Sequence, residues 1–401
     1  MRPVWHLGLG RELGLAFWAL TLFEATIGAY ASVWPLWIER LGAPITVVGL
    51  VLGLSGVIRP FILIPSSSLF ERYNPLHLLM GARILSIFGL LVAAFAQDWT
   101  FLLITVVLNA LGEIVFATLH TYVADHGGTN KVRAFSMVVT IGPAAALIVM
   151  PILSGIVISM FGIRSAFILA AITTVGALYF VAQMNFSRPH HGDDSTTVPT
   201  YREAFQHPAT RIILLVHGLT LICLSVGVSL IPNYLEDFRK MSPSTISILS
   251  AGAAVGTAAF ALVTAKSKRL QHSPLIAAAI ATCFVIAGLI IMAVFSPLPF
   301  VAVAYLFRGG LFSAWVLFIS AIGGLTPPRL LQRAFIALEI LGGGAMSFGP
   351  VLSAQLYQQD PRLPLVVGAI SASVMVLVIV RTSRVVSPVA PVIAAVNPAS
   401  L

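Results

Sequence analysis

Residues 275–295 read LIAAAIATCFVIAGLIIMAVF, twenty-one consecutive residues without a charge. A helix of about 20 apolar residues spans the hydrocarbon core of a bilayer. An open chain in lipid has to be helical, because every backbone polar group there needs an internal partner. The stretch therefore predicts a transmembrane helix, and the fold depends on how often the pattern recurs.

Apolar runs of this kind recur along the whole chain. Because they are continuous, they argue against a transmembrane β-barrel, whose strands are short and alternate in polarity. The sequence predicts an all-α integral membrane protein with twelve transmembrane helices. The twelve runs cover residues 13–37, 45–67, 76–96, 99–121, 133–160, 165–186, 210–235, 244–266, 273–296, 300–325, 333–358 and 362–382.

The overall composition supports a chain that lies almost entirely in the membrane. Of 401 residues, 58% are hydrophobic and 9% are charged, whereas soluble domains have about 25% charged residues. This excludes a soluble enzyme, a nucleic-acid binder and a disordered protein. Cys223 and Cys283 both lie in apolar runs and are interpreted as small buried hydrophobes.

The net charge of +9 indicates an orientation and not a nucleic-acid partner. With a cytoplasmic N-terminus, sixteen Lys and Arg residues, Arg83 among them, fall in inside segments and five in outside segments. This bias is the one that cytoplasmic loops show. We expect a multi-pass protein of the cell (plasma) inner membrane with both termini in the cytoplasm. The helix ends on the side of residues 187–209 are called the predicted inner end, and the opposite ends the predicted outer end.

The longest polar stretch, 187–209, divides the runs six and six. We expect an N-terminal six-helix bundle over 1–186, a cytoplasmic linker over 187–209 and a C-terminal six-helix bundle over 210–382. Residues 383–401 are expected to be a disordered cytoplasmic tail.

The two predicted bundles share sequence at equivalent positions. Residues 133–135 and 333–335 both read RAF at the start of the fifth and eleventh runs. Residues 151–155 (PILSG) and 350–354 (PVLSA) follow at nearly the same spacing. Two matches in register indicate an internal duplication. An even number of helices in each repeat makes the repeats parallel, related by an axis along the membrane normal.

Short motifs add to this architecture. Residues 67–76, SSLFERYNPL, match the pattern Gly-x-Leu-Ala-Asp-Arg-x-Gly-Arg-Arg at Leu69 and Arg72, and Glu71 keeps the acid. Residues 161–167, FGIRSAF, are similar to a Gly-Trp-Arg-x-x-Phe turn. With twelve helices, a parallel repeat and a cytoplasmic linker, the chain resembles the major facilitator superfamily.

The resemblance implies two pseudo-symmetric six-helix bundles and a secondary transporter similar to the drug and metabolite efflux branch. It also implies a central cavity lined by helices 1, 4, 7 and 10. Four charges at the predicted inner end correspond to a latch that such proteins form: Glu71, Arg72, Asp125 and Arg133.

Charged residues within the runs are candidates for coupling. A charge at the centre of a bilayer costs ~2.5–3.5 kcal/mol, so it needs a partner or a wet cavity. Glu24, Arg59 and Glu113 lie at matching depth by helix rise. If Arg59 pairs with one carboxylate, the other is the candidate to bind and release a proton. The alternative is a purely structural pair within the bundle.

Other residues are assigned to the cavity or to a charge network. Asn109, His217 and Arg308 lie on helices that the resemblance places at the cavity, and Trp315 is an aromatic residue on one of them. His217 could equally be a packed residue. Arg59 and Glu339 are expected to act as gating or network charges.

We therefore expect a transporter of a small organic molecule, coupled to protons, with efflux favoured and with no cofactor or metal. The chain contains neither a Gly-x-x-x-x-Gly-Lys-[Ser/Thr] loop nor a His-Glu-x-x-His pair, so an enzyme is not predicted. Expected partners are the substrate, protons and lipid, and the protein is expected to be a monomer. The alternatives are sugar or metabolite uptake, a membrane-embedded enzyme such as a lipid-modifying transferase, and a membrane protein without transport.

Overall fold

The computed structural model describes residues 7–112, 118–119, 122–123, 126, 136–186 and 200–386. Within these ranges, the side chains of residues 63–72, 136, 328 and 332 are not described. The regular elements of this part of the chain are helices, and no strand occurs among them.

The helices follow the order of the apolar runs. The α-helices are α1 Arg11–Tyr30, α2 Trp34–Arg40, α3 Ile45–Arg72, α4 Pro75–Phe95, α5 Phe101–Gly112, α6 Gly142–Phe161, α7 Arg164–Val181, α8 Tyr201–Gln206, α9 Pro208–Val228, α10 Ile231–Asn233, α11 Pro243–Lys266, α12 Lys268–Gln271, α13 Pro274–Val294, α14 Leu298–Arg308, α15 Gly310–Leu325, α16 Leu331–Gln359 and α17 Leu363–Val385. Two π-helical segments, Ser136–Ile141 and Tyr234–Phe238, adjoin α6 and α10, and a 3₁₀ turn at Pro328–Leu330 precedes α16.

Eleven of the helical segments are long and apolar enough to cross a membrane, and α5 is a shorter apolar helix. This confirms the prediction of an all-α membrane protein. The boundaries differ in detail. The tenth run is divided between α14 and α15 at Gly309, α8 forms within the expected linker, and α17 extends to Val385.

The helices between residues 11 and 181 are called the first helix set, and those between 208 and 385 the second helix set. Within the first set, α1 packs on α6 and α7, and α4 packs on α5 and α7. Within the second set, α9 packs on α16 and α17, and α13 packs on α15 and α17. The two sets meet along two extensive seams, α3 with α16 and α6 with α11.

Small residues bring the two sets into contact. In the seam of α6 and α11, a Cβ at Gly155 would lie 2.8 Å from the carbonyl oxygen of Ser244. The Ser247 hydroxyl donates to the carbonyl of Pro151 at 2.9 Å. Without a hydrophobic driving force between helices in lipid, close backbone approach and such hydrogen bonds hold helices together.

Arg83 requires a correction to the charge count. It lies within α4, about 12 Å beyond the start of that helix by rise, and not in an inside segment. Its side chain is buried, with 6% exposure, and its guanidinium lies 3.9 Å above the centre of the Phe23 ring. The cation–π contact offsets part of the cost of removing this charge from water.

Candidate functional site

The seam between α3 and α16 leads to the candidate site. A Cβ at Gly49 would lie 2.5 Å from Ala354, and one at Gly53 would lie 2.5 Å from the carbonyl of Ser347. Gly56, one turn further, is equally close to Ser347. From the predicted outer end to this level, the two helices therefore pack backbone to backbone.

The next turn of each helix carries a charge. Arg59 of α3 donates from Nη2 to Glu339 Oε2 of α16 at 3.3 Å, across the boundary between the two helix sets. Both residues lie more than about 11 Å from the ends of their helices by rise. Their side chains remain 29% and 35% exposed. A charge pair at this depth that stays partly exposed indicates a hydrated space beside it.

Trp315 and His217 extend the pair into the second helix set. The Trp315 indole N–H donates to Glu339 Oε1 at 3.3 Å, so both carboxylate oxygens of Glu339 are engaged. His217 of α9 packs edge-on against Trp315, with ring centres 5.5 Å apart. Gly342 leaves room for this contact, because a Cβ there would lie 3.0 Å from His217 Nε2.

His217 is fully buried, and neither ring nitrogen has a hydrogen-bond partner among the described residues. A second ring, Phe318, packs against it with centres 5.1 Å apart. This environment fits the packed-residue alternative for His217 in the present conformation. Arg59, His217, Trp315 and Glu339 are called the seam cluster. They come from α3, α9, α15 and α16.

Of the two carboxylates assigned to proton coupling, the structure describes Glu24. Glu24 is half-buried on α1, next to the Phe23 ring that Arg83 covers. Glu113 lies outside the described residues. A Cβ at Gly112, the residue before it, would lie 3.3 Å from Arg83 Nη1. Sequence reasoning missed Arg83; its position eight residues into an apolar run was the signal.

The remaining predicted residues are dispersed. Asn109 of α5 accepts a hydrogen bond from the Ser86 hydroxyl of α4 at 2.7 Å, so it joins two helices of the first set. Arg308 ends α14, with its guanidinium 5.6 Å from the centre of the Tyr305 ring. Glu71 and Arg72 lie in the last turn of α3, where side chains are not described, and Asp125 and Arg133 lie outside the described residues.

Most aromatic residues near the predicted cavity helices take part in packing. Tyr30 and Trp34 contact the buried Phe167, with ring centres 5.6 and 5.7 Å away. Trp18 stacks on Phe180 at 6.2 Å, at the side of a groove between α1 and α7. Among the aromatic residues on the predicted cavity helices, Trp315 is the one that belongs to the seam cluster.

A second polar cluster joins the two helix sets at the predicted outer end, and sequence reasoning did not identify it. Asn233 of α10 donates from Nδ2 to Glu39 Oε2 of α2, and Arg40 forms an ion pair with Glu236. The Tyr357 hydroxyl of α16 donates to Asp237 Oδ2 at 2.8 Å. These six residues are called the outer cluster. Burial, with smaller contributions from Asp237 and Glu236, raises the pKa of Glu39 despite the hydrogen bond from Asn233.

Comparison with known proteins agrees with the fold. A family model described as Major Facilitator Superfamily matches residues 16–350. A search of curated proteins finds no match.

Several solved structures share the fold. The nucleoside transporter NupG is 15% identical, with a TM-score of 0.73 over 94% of this chain and 98% of that one. A bacterial homologue of the human lysosomal transporter Spinster, in an inward-facing and unoccupied conformation, is 14% identical, with a TM-score of 0.69 over 96% and 98%. A peptide transporter POT in complex with alafosfalin is 13% identical, with a TM-score of 0.70 over 94% and 95%.

Proposed function

Because the chain belongs to the major facilitator superfamily, we propose that it is a secondary transporter that moves a small organic molecule by alternating access. Two bundles, 1–186 and 210–382, rock against each other along the α3–α16 and α6–α11 seams. The protein works as a monomer in the cell inner membrane, with both termini in the cytoplasm.

The observation that carries the proposal is the ion pair between Arg59 and Glu339 at the seam. It joins the two helix sets where their close backbone contact ends. A rigid structural protein gains little from such a pair, because ion pairs that stay in contact with water typically contribute only about 0.2–1 kcal/mol. A pair that breaks and reforms as two bundles move relative to each other has a functional use.

Coupling to protons is assigned to Glu24 or Glu113. A carboxylate within the membrane that changes partners during the cycle can take up a proton on one side and release it on the other. Glu339 is the third carboxylate to be compared with Glu24 and Glu113 as a proton-binding group. In the present conformation both of its oxygens accept hydrogen bonds. Efflux is the proposed direction.

The proposed substrate is amphiphilic. Trp315 offers an aromatic edge beside an ion pair that stays partly exposed, so a compound with an apolar ring and a polar group matches both. Trp315 alone supports this substrate class, since most of the other aromatic residues near the cavity helices are engaged in packing.

The test is a flux measurement in liposomes. Purified protein is reconstituted with an internal pH-sensitive dye, and a panel of amphiphilic compounds is screened for proton movement that depends on the compound. Glu24→Gln, Glu113→Gln and Glu339→Gln are measured in parallel. Asp98→Asn is the matched control, because Asp98 is an exposed carboxylate that caps a turn at Thr100.

The proposal expects proton movement in the wild type and in Asp98→Asn, and its loss in Glu24→Gln or Glu113→Gln. If compounds cross without protons, the protein transports but the coupling assignment is wrong. If protons and the compound move across the membrane in the same direction, the proposed efflux of the compound is replaced by uptake.

A further inference from the structure

The contact between Glu39 and Asn233 at the predicted outer end is chemically incomplete as it stands. Asn233 is fully buried, and its amide nitrogen donates to Glu39 Oε2. Its amide oxygen, Oδ1, is also buried and accepts no hydrogen bond from any described residue. A buried acceptor without a donor costs about 1–3 kcal/mol. A hydrogen-bond donor at this oxygen would therefore stabilise the contact.

A protonated Glu39 supplies that donor from the side chain that Asn233 already contacts. An ionised carboxylate only accepts hydrogen bonds, whereas a carboxylic acid has one O–H donor and one accepting oxygen. The Asn233 amide has the complementary set. With the proton on Glu39, its O–H donates to Asn233 Oδ1 while its other oxygen still accepts from Nδ2. Two hydrogen bonds then join α2 to α10 in place of one.

The charges around Glu39 favour the neutral acid. Arg40, the adjacent cation, is engaged by Glu236, and Asp237 adds a further carboxylate nearby. On α3, residues 45–58 contain no titratable side chain. Other charged or titratable groups at this end are Tyr357, bonded to Asp237; Arg239, bonded to Ser296; Arg362, above the Phe238 ring; Arg164, above the Trp37 ring of α2; Tyr234, bonded to the Met292 carbonyl; and Asp98, Asp360 and Lys240.

We propose that Glu39 is a proton-binding gate residue, and that its protonated form pairs with Asn233 through two hydrogen bonds and locks the predicted outer end closed. The proton comes from the outer solution and returns to it when the gate opens. The inference rests on the proposed alternating-access cycle, and it adds a protonation site outside the membrane-spanning part of the chain.

The sign of the pH dependence follows from linkage. Burial raises the pKa of Glu39 in the closed state, and in an open state the carboxyl is solvated and has its ordinary pKa. The closed state therefore binds the proton more tightly. The free energy by which protonation of Glu39 favours the closed state is fully present below the open-state pKa. It is lost as pH rises through the closed-state pKa. Each unit of difference between the two pKa values changes the closed-to-open ratio by up to about tenfold.

The experiment measures the width of the outer end directly. Spin labels are attached at Gln97→Cys and Gln359→Cys, two exposed positions in different helix sets at that end. The background carries Cys223→Ala and Cys283→Ala, and the full chain is held in lipid nanodiscs. Distances are measured at about pH 5 and about pH 8.

The inference expects a short distance at acidic pH and a growing long-distance population at alkaline pH. Glu39→Gln should stay closed at both pH values, because a glutamine amide makes the same two bonds with Asn233 and does not titrate. Asn233→Ala should shift the population toward the open state at both pH values, because neither form of Glu39 then has its amide partner. Asp98→Asn, the control at the same end, should respond like the wild type.

Either of two results overturns the inference: a wild-type distance that does not change with pH, or an open gate in Glu39→Gln. If the flux assay detects transport while the distance ignores pH, the proton lock fails and the proposed function stands. If no transport occurs but Glu39→Gln abolishes a pH-dependent distance change, the lock stands and the proposed function fails.

Discussion

The seam cluster and the outer cluster both join the two helix sets, but at different depths and with different chemistry. At the seam, Arg59 and Glu339 form an ion pair well inside the helices. At the outer end, Glu39 is bonded to the neutral amide of Asn233 while the adjacent Arg40 engages Glu236. A deep charge requires an opposite charge or water, whereas a carboxyl near the surface can exchange its proton. The deeper contact is therefore expected to respond to charge reversal, and the outer contact to pH.

The largest effect is expected from reversing one charge of the deep pair. Arg59→Glu places two carboxylates together, and Glu339→Arg places two guanidinium groups together. Each single change should reduce flux more than about tenfold, since breaking a pair of partly buried charges costs more than about 1.4 kcal/mol. The double change Arg59→Glu with Glu339→Arg should recover most of the flux in the liposome assay. A double variant as inactive as the single ones would contradict a direct pairing role.

A large effect on stability is expected from filling the seam. Gly56→Val puts a branched side chain where a single Cβ already overlaps Ser347 and the Gly343 carbonyl. Overpacking of this kind costs about 1–3 kcal/mol, so the melting temperature in detergent should fall by several degrees. The matched control is Gly81→Ala, at an exposed helical position with nothing within 4 Å of a new Cβ. Equal melting temperatures for the two variants would show that the seam is not tightly packed in solution.

A moderate effect on flux is expected at Trp315. Trp315→Phe keeps an aromatic ring against His217 but removes the N–H that donates to Glu339. Loss of one hydrogen bond to a charged group is worth about 1.5–3 kcal/mol when the acceptor stays buried, and less here because Glu339 is partly exposed. Flux should fall severalfold with the melting temperature nearly unchanged. A large loss of stability would instead make Trp315 a packing residue.

The smallest effect is expected at Tyr357. Tyr357→Phe removes the hydroxyl that donates to Asp237 at 2.8 Å and leaves Glu39 and Asn233 in place. A single hydrogen bond contributes about 0.5–1.5 kcal/mol, so the gate distance should shift only slightly toward the open population. The pH response should persist, and its disappearance would move the proton site from Glu39 to the Asp237 side of the cluster.

The sequence was sufficient for the fold because each helix is encoded locally. Length and continuous apolarity are properties of single runs, and they predicted the eleven long apolar helices found among the described residues. Mid-membrane charges could also be recognised as candidates, since each one is costly in lipid.

The partners of these charges could not be predicted. Matching depth suggested Glu24 or Glu113 as partners of Arg59, and it gave no sign of Glu339, which is 280 residues away in sequence. The glycines of α3 set the register against α16 and bring Glu339 to 3.3 Å from Arg59. The outer cluster was missed because Glu39, Asn233 and their neighbours lie at run ends and beyond. A charge near the membrane surface costs little, so its position in the sequence does not single it out as a functional candidate.

The most direct test of two rocking bundles measures the distance between the helix sets at the outer end and at the inner end. One labelled protein carries the outer pair, Gln97→Cys and Gln359→Cys, and a second carries an inner pair, Tyr73→Cys and Lys268→Cys, both at exposed positions. Each is measured with the native pair, with Glu339→Gln and with the charge-reversed pair at 59 and 339. The account predicts that Glu339→Gln lengthens the outer distance and shortens the inner one, and that charge reversal restores both. Distances that stay the same in all three proteins, or that lengthen at both ends together, would contradict two bundles rocking about the α3–α16 seam.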